Sequence, residues 1–307
     1  MKTERSYLSK DNQTEIHAIE WTPENEPVAI LQIAHGMVEF INRYDRFARY
    51  LNEKGIIVVG NDHLGHGQSV SSPNQLGFFA DENGNQCVIE DMHTLYSLTK
   101  IKYPHLPYFL LGHSMGSFLA RQYIEMYGKE LEGAIIMGTG QLPAALVTSA
   151  KGIASFLGQW KGNRHRSTFL TQLALGSNNK AFEPARTQRD WLTKDTEIVD
   201  AYNENPLNNF IFTTNAYYNM FEGIQYAQQH VEDVPKDLPI LVISGAMDPV
   251  GDYGLGPKKV YDSYIDNGIM DVQLRLYEDD RHEILNETNY QQIYNDIYIW
   301  LQSHLHQ

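Results

Sequence analysis

Tyr108-Phe109-Leu110-Leu111-Gly112-His113-Ser114-Met115-Gly116-Ser117-Phe118-Leu119-Ala120 decides the fold. Its first four residues form a short apolar run that reads as a buried strand, and the text from Met115 to Tyr127 reads as a helix. Between them lies Gly112-His113-Ser114-Met115-Gly116, a G-x-S-x-G in a strand–turn–helix context, which makes it a nucleophile elbow. A serine on so sharp a turn takes a strained backbone conformation. Small residues two positions to either side keep the turn free of clashes. The Ser114 hydroxyl is then exposed, and the Met115 amide points from a helix N-terminus toward the place where an oxyanion would develop.

Working outward, the same alternation recurs. Val28–Ala34, Ile56–Val59, Ala134–Met137 and Ile240–Ile243 are nearly continuous apolar runs, as expected of parallel strands covered on both faces. Helical text separates them at Tyr44–Lys54, Val88–Lys102, Pro257–Asp266 and Thr288–His304. The pattern predicts an α/β class with a mostly parallel, doubly wound sheet. Arg5–Ser9 and Glu15–Trp21 read as an edge hairpin turning at Asp11-Asn12. From residue 141 to residue 237 no buried strand is evident. Helical text at Ala144–Trp160, Ser167–Leu175 and Asn208–Gln228 fills that stretch. Ligand sites in open α/β sheets lie beyond the carboxyl ends of the strands. An insertion leaving that edge is expected to roof the site as a lid. The expected domains are therefore a core of residues 1–140 and 238–307 and a helical lid of residues 141–237.

A serine nucleophile needs a base, and the base needs a carboxylate behind it. In a strand–elbow–helix fold the acid and then the base follow the serine along the chain. Asp248 stands just past the Ile240–Ile243 run, between Gly245 and Pro249; Asp252 is its competitor. Val272–Tyr277 reads as one more strand, and His282 follows it in a loop crowded by Glu278, Asp279, Asp280 and Glu283. These acids are expected to favour the imidazolium. His282 is thus the expected base and Asp248 the orienting acid. The second oxyanion donor is expected from His35-Gly36-Met37, so the donors are the amides of Met37 and Met115; His35 itself reads as structural. His63 and His66 sit in a glycine-shaped turn after a strand with no third ligand in step, which favours a loop-tying role over a metal site. Glu39 and Arg43 pair either inside the oxyanion loop or on the surface.

Composition bounds the rest. The chain has 307 residues and a formal charge of −14. That charge repels phosphate backbones and disfavours nucleic acid and anionic membrane surfaces as partners. Cys87 is the sole cysteine, so no internal disulfide can form. The first 21 residues hold no apolar stretch of signal-peptide length, and no run is long enough for a transmembrane segment. A cytoplasmic protein is expected.

Together these motifs resemble the α/β-hydrolase superfamily, and within it the monoacylglycerol lipase and lysophospholipase branch, often filed with the serine aminopeptidases. The resemblance runs through His35-Gly36, Glu39, Arg43-Tyr44, Asp62-His63, Gly65–Ser69, Gly112–Gly116, Asp248-Pro249-Val250 and Arg281–Glu287. The insertion is similar to that of bacterial lysophospholipase-like members through Asp190–Thr193, Asp195, Val199-Asp200, Asn205–Leu207, Phe210, Phe212 and Thr213. It implies an α/β-hydrolase fold and a cofactor-free serine esterase acting on lipid monoesters. Small-ester carboxylesterase, aminopeptidase and non-catalytic ligand-binding protein are the alternatives. Asp279-Asp280 and Met37-Val38 depart from the small residues usual there, and bulk at Met37-Val38 would narrow the site. Phe156, Trp160, Phe210, Phe212, Tyr217, Tyr218 and Phe221 are the candidate acyl-pocket residues. An apolar lid would also offer a homodimer face or a micelle-docking face.

Overall fold

The computed structural model describes residues 1–305. Eight strands form one sheet: β1 (Lys2–Leu8), β2 (Glu15–Trp21), β3 (Ala29–Ala34), β4 (Ile56–Asn61), β5 (Tyr108–His113), β6 (Gly133–Met137), β7 (Ile240–Gly245) and β8 (Val272–Tyr277). Their order is β1-β2-β4-β3-β5-β6-β7-β8. From β4 to β8 every neighbouring pair is parallel; β1 and β2 add an antiparallel edge. The five apolar runs are the central strands, and every residue of β3, β4, β5, β6 and β7 is buried. The β1–β2 turn is where expected. Asn12 adopts φ 59°, and the Asp11 carboxylate accepts from the Gln13 and Thr14 amides, the side-chain mimicry that favours aspartate in turns.

Helices cover both faces, as two-sided burial requires. On one face, α1 (Asp45–Glu53) buries Phe47 and Leu51, and α9 (Tyr290–Ser303) buries Ile293, Ile297 and Trp300. On the other lie α2 (Gly84–Lys102), α3 (Met115–Tyr127) and α8 (Leu255–Asp266), with Val88, Met92, Ile124 and Tyr264 in the core. The chain thus has the α/β-hydrolase fold, with the elbow at the carboxyl end of the central strand β5.

Between β6 and β7 come α4 (Ala144–Lys161), α5 (Thr168–Leu175), α6 (Thr196–Glu204) and α7 (Thr214–Gln229). Two details differ from the sequence reading. Helix α6 was not anticipated. It has nine residues and buries only Val199 and Tyr202, so its periodicity is faint; its signal was the cap Asp195, which accepts from the Glu197 and Ile198 amides. Helix α7 starts at Thr214, capped by the Thr213 hydroxyl, and not at Asn208.

Arg121 on α3 fastens this insertion to the core. Its buried guanidinium donates to the Gly140 carbonyl (3.0 Å) and Gln141 Oε1 (2.9 Å) at the entry, and to the Ala227 carbonyl (3.2 Å) near the exit. Arg121→Leu strands those carbonyls without a donor. It is expected to lower the unfolding free energy by about 2–4 kcal/mol in a urea titration; an unchanged midpoint would show that the insertion holds without this clamp.

Candidate active site

Ser114 adopts φ 55°, ψ −120°, a strained conformation for a residue with a side chain. Hydrogen bonds and packing hold it there. Its amide donates to the Met137 carbonyl (3.0 Å), and its carbonyl accepts from the amide (2.8 Å) and hydroxyl (2.6 Å) of Ser117. The flanking glycines are required sterically. A Cβ on Gly116 would overlap the Ala34 carbonyl oxygen, and one on Gly112 would overlap the Gly116 carbonyl oxygen. Helix α3 therefore seats directly on the end of β3.

Asp248, wholly buried in the loop after β7, accepts from His282 Nδ1 at 2.9 Å, from the Val250 amide at 2.9 Å and from Ser244 Oγ at 3.3 Å. A proton on His282 Nδ1 toward this carboxylate leaves Nε2 as the basic nitrogen. Asp252 lies further on, in a turn at φ 48°, and it is Asp248 that His282 Nδ1 meets. The His282 ring lies against the elbow. Its centroid is 4.8 Å from that of His113, and Cε1 lies 3.3 Å from where a Cβ on Gly138 would stand, beside the Met137 carbonyl that takes the Ser114 amide.

The insertion runs as a strap along the His282 loop. The Glu283 amide donates to the Leu192 carbonyl (2.7 Å) and the His282 amide to the Trp191 carbonyl (3.4 Å). Thr193 Oγ1 donates to the Asn286 carbonyl (3.0 Å), and the Trp191 ring stands 5.0 Å from the His282 ring. Two of the acids expected to crowd the imidazole are turned to other cations: Asp280 to Lys194 (2.8 Å) and Glu283 to Arg43 (2.7 Å).

Beside Ser114 and His282 is a cluster that sequence reasoning only touched. Glu39 and Arg43 do pair, at 2.8 Å, with Glu39 buried and Arg43 mostly so. Arg43 also grips both oxygens of Glu283 (2.8 and 2.7 Å). Glu39 Oε1 accepts from the Gly36 amide (2.5 Å), Tyr44 Oη (3.0 Å) and His113 Nδ1 (3.1 Å). His113 Nε2 faces the His282 carbonyl at 3.3 Å. Tyr44 gives its proton to Glu39 and so meets His113 Nδ1, at 3.2 Å, as an acceptor. Both nitrogens of His113 thus face acceptors, and only the imidazolium can donate to both. Burial alone would lower the His113 pKa. The hydrogen bond to Glu39 and the charges of Glu39 and Glu283 outweigh it and raise the pKa above 6.5. Burial would raise Glu39 and Glu283 too, but His113 and Arg43 hold the first, and Arg43 the second, below the ordinary 4.5. Two carboxylates, one guanidinium and one imidazolium make a neutral buried cluster.

The loop carrying Met37 lies beside the serine, since a Cβ on Gly36 would stand 3.0 Å from Ser114 Cβ. Met115 opens α3 on the other side. Met37 therefore follows a residue packed against Ser114, and Met115 is the chain neighbour of Ser114. Among the aromatic candidates, Phe212, Tyr217 and Phe221 are buried in one cluster with Met115, Phe118 and Val147; Phe210 and Tyr218 pack on its margin. Phe156 and Trp160 are elsewhere. They are 64% and 70% exposed and stack on each other on the outer side of α4. His35, His63 and His66 pack ring against ring, and Asp62 ties the loops by accepting from the Ile41 and Gln68 amides and from His17.

Comparison with known proteins gives the family and agrees with the fold. Residues 25–289 match the family described as serine aminopeptidase, S33. A monoacylglycerol lipase of Mycolicibacterium smegmatis is 26% identical over 93% of this chain and 92% of its own. A monoglyceride lipase of Rattus norvegicus is 27% identical over 87% of this chain and 79% of its own. Among solved structures, a highly thermostable carboxyl esterase from Bacillus coagulans in complex with glycerol superposes with a TM-score of 0.90 at 31% identity, covering 99% of both chains.

The ion cluster makes two predictions. Arg43→Met leaves two buried carboxylates without their cation, and an unfolding titration is expected to show a loss of about 3–5 kcal/mol; a loss near zero would mean the carboxylates are solvated. The His113 charge contributes fully below pH 6.5 and fades as pH rises through its raised folded value. The stability gap between wild type and His113→Asn should therefore narrow as pH rises above 6.5 through the raised folded value. A gap constant across that range would mean a neutral imidazole.

Proposed function

On the premise that the chain belongs to the serine aminopeptidase S33 family and is a carboxylic ester hydrolase, we propose that it cleaves lipid monoesters of the monoacylglycerol or lysophospholipid kind through Ser114, His282 and Asp248. The observation that carries the reading is the bond from His282 to the wholly buried Asp248, set against Ser114 on its strained turn. Ser114 Oγ attacks the acyl carbonyl while His282 Nε2 takes its proton. Asp248 holds the tautomer and stabilises the imidazolium that forms. The carbonyl oxygen becomes an oxyanion between the amides of Met37 and Met115, each worth about 3–4 kcal/mol to the transition state. His282 then protonates the leaving alcohol, activates a water, and the acid leaves the acyl-enzyme. None of these steps needs a metal or organic cofactor.

The lipid reading draws support from the relatives named monoacylglycerol and monoglyceride lipases, which match nearly the whole chain. It also draws on the apolar side chains of Met115 and Phe118, which open α3 directly after the elbow. In this reading residues 141–237 act as the lid. A small-ester carboxylesterase is the second reading, favoured by the likeness to the glycerol-bound esterase.

Glycerol monoesters and lysophosphatidylcholines of increasing acyl length decide between them. The lipid reading predicts turnover that rises with chain length and falls by roughly 10⁶ in Ser114→Ala. Turnover confined to the shortest glycerol esters would establish the esterase reading, and equal turnover in Ser114→Ala would overturn the mechanism.

A further inference from the structure

Val38 lies one residue past the proposed oxyanion donor Met37 and adopts φ 57°. Positive φ is an outlier for a β-branched residue, because its Cβ crowds the backbone. Something must hold it there, and what holds it belongs to the insertion. The Val38 carbonyl accepts from Tyr202 Oη at 2.8 Å and from Asn208 Nδ2 at 2.9 Å. Tyr202 lies on α6 and Asn208 just beyond it, and both are buried. They are themselves fixed as a unit. The guanidinium groups of Arg43 (4.7 Å) and Arg189 (4.8 Å) both lie over the Tyr202 ring, and Arg189 also donates to the Asn208 carbonyl at 2.6 Å. Two residues earlier in the loop, the Gly36 amide is tied to Glu39 from the core side. Met37 therefore sits between two pins, one set by the core and one by the insertion.

We propose that Tyr202 and Asn208 are positioning residues for the oxyanion hole: through the Val38 carbonyl they hold the strained loop that aims the Met37 amide. The insertion is then part of the catalytic apparatus as well as its cover. Without the pins, Val38 relaxes toward negative φ, and with Gly36 still tied the Met37 amide swings off its target. Burial keeps the Tyr202 hydroxyl protonated far into the alkaline range, so the donor persists. This inference rests on the serine hydrolase reading above.

The test compares Tyr202→Phe, Asn208→Ala and the pair, each with and without Val38→Gly, using a short-chain glycerol monoester. A trifluoromethyl ketone, which forms a charged tetrahedral adduct, serves as transition-state probe. Each single change is expected to lower kcat about tenfold and the pair about a hundredfold, with KM held within about twofold. Ketone affinity should fall in step with kcat/KM. Glycine takes positive φ without strain, so Val38→Gly should restore Tyr202→Phe to within about threefold of Val38→Gly alone. A general structural role for Tyr202 predicts no such rescue. Should Tyr202→Phe prove unfolded at the assay temperature, Asn208→Ala, which leaves Tyr202 and its cation contacts untouched, carries the same cycle. Unchanged kcat in the folded pair, or strict additivity with Val38→Gly, overturns the proposal. Wild type inert to both ester and ketone would instead overturn the hydrolase reading.

Discussion

The Glu39 carboxylate is the point on which the site depends. One oxygen gathers the Gly36 amide, Tyr44 and His113, while the other takes Arg43, which reaches on to Glu283. Three separate stretches of chain meet there: the loop after β3, the elbow after β5 and the loop bearing His282. Each contributes a group to the proposed reaction, and none is held in place by its local sequence alone. The cluster sits out of water, where an unmatched charge is costly, so its four charges must be present together. That requirement turns three loops into one rigid floor. His113 is both a member of the cluster and the residue before Ser114, so the floor and the nucleophile are covalently adjacent.

The insertion completes what the floor begins. Its 190–194 strap bonds along the His282 loop, Tyr202 and Asn208 reach the loop after β3, and Arg121 anchors both its ends. These contacts are buried polar bonds, which resist opening because each broken partner loses its hydrogen bond away from water. The strap and the Tyr202 and Asn208 bonds flank α6, while Arg121 holds the segment before α4 and the end of α7. The α4–α5 side instead exposes Phe156, Trp160 and Phe169. The insertion thus has a part fastened to the catalytic loops and a part whose apolar residues face outward.

Much of the fold was legible because it is written locally. The central strands are continuous apolar runs, and a run of that kind has no stable place but the middle of a covered sheet. The pairing of His282 with Asp248 was legible for a related reason: each follows a recognisable strand, and the order of strands brings their loops to one edge of the sheet. The Glu39 cluster was not, because its hydrogen bonds span 74 and 240 residues of sequence and leave no periodic trace. Helix α6, unlike the equally short but apolar α5, is mostly polar and so did not declare itself. Phe156 and Trp160 show the opposite failure. Their helical spacing marks an apolar face correctly, but periodicity does not say which way a face looks. Asp280 and Glu283 were read by their distance along the chain from His282, whereas Lys194 and Arg43, distant in sequence, claim them.

The central claim is that the strained serine of the elbow is a nucleophile served by His282. Exposure to a fluorophosphonate ester, followed by peptide mass spectrometry, tests it without any assumption about substrate. The account predicts one covalent adduct, on Ser114, formed at a rate that collapses in His282→Ala. An unmodified Ser114, or an adduct that forms equally fast without His282, would contradict it.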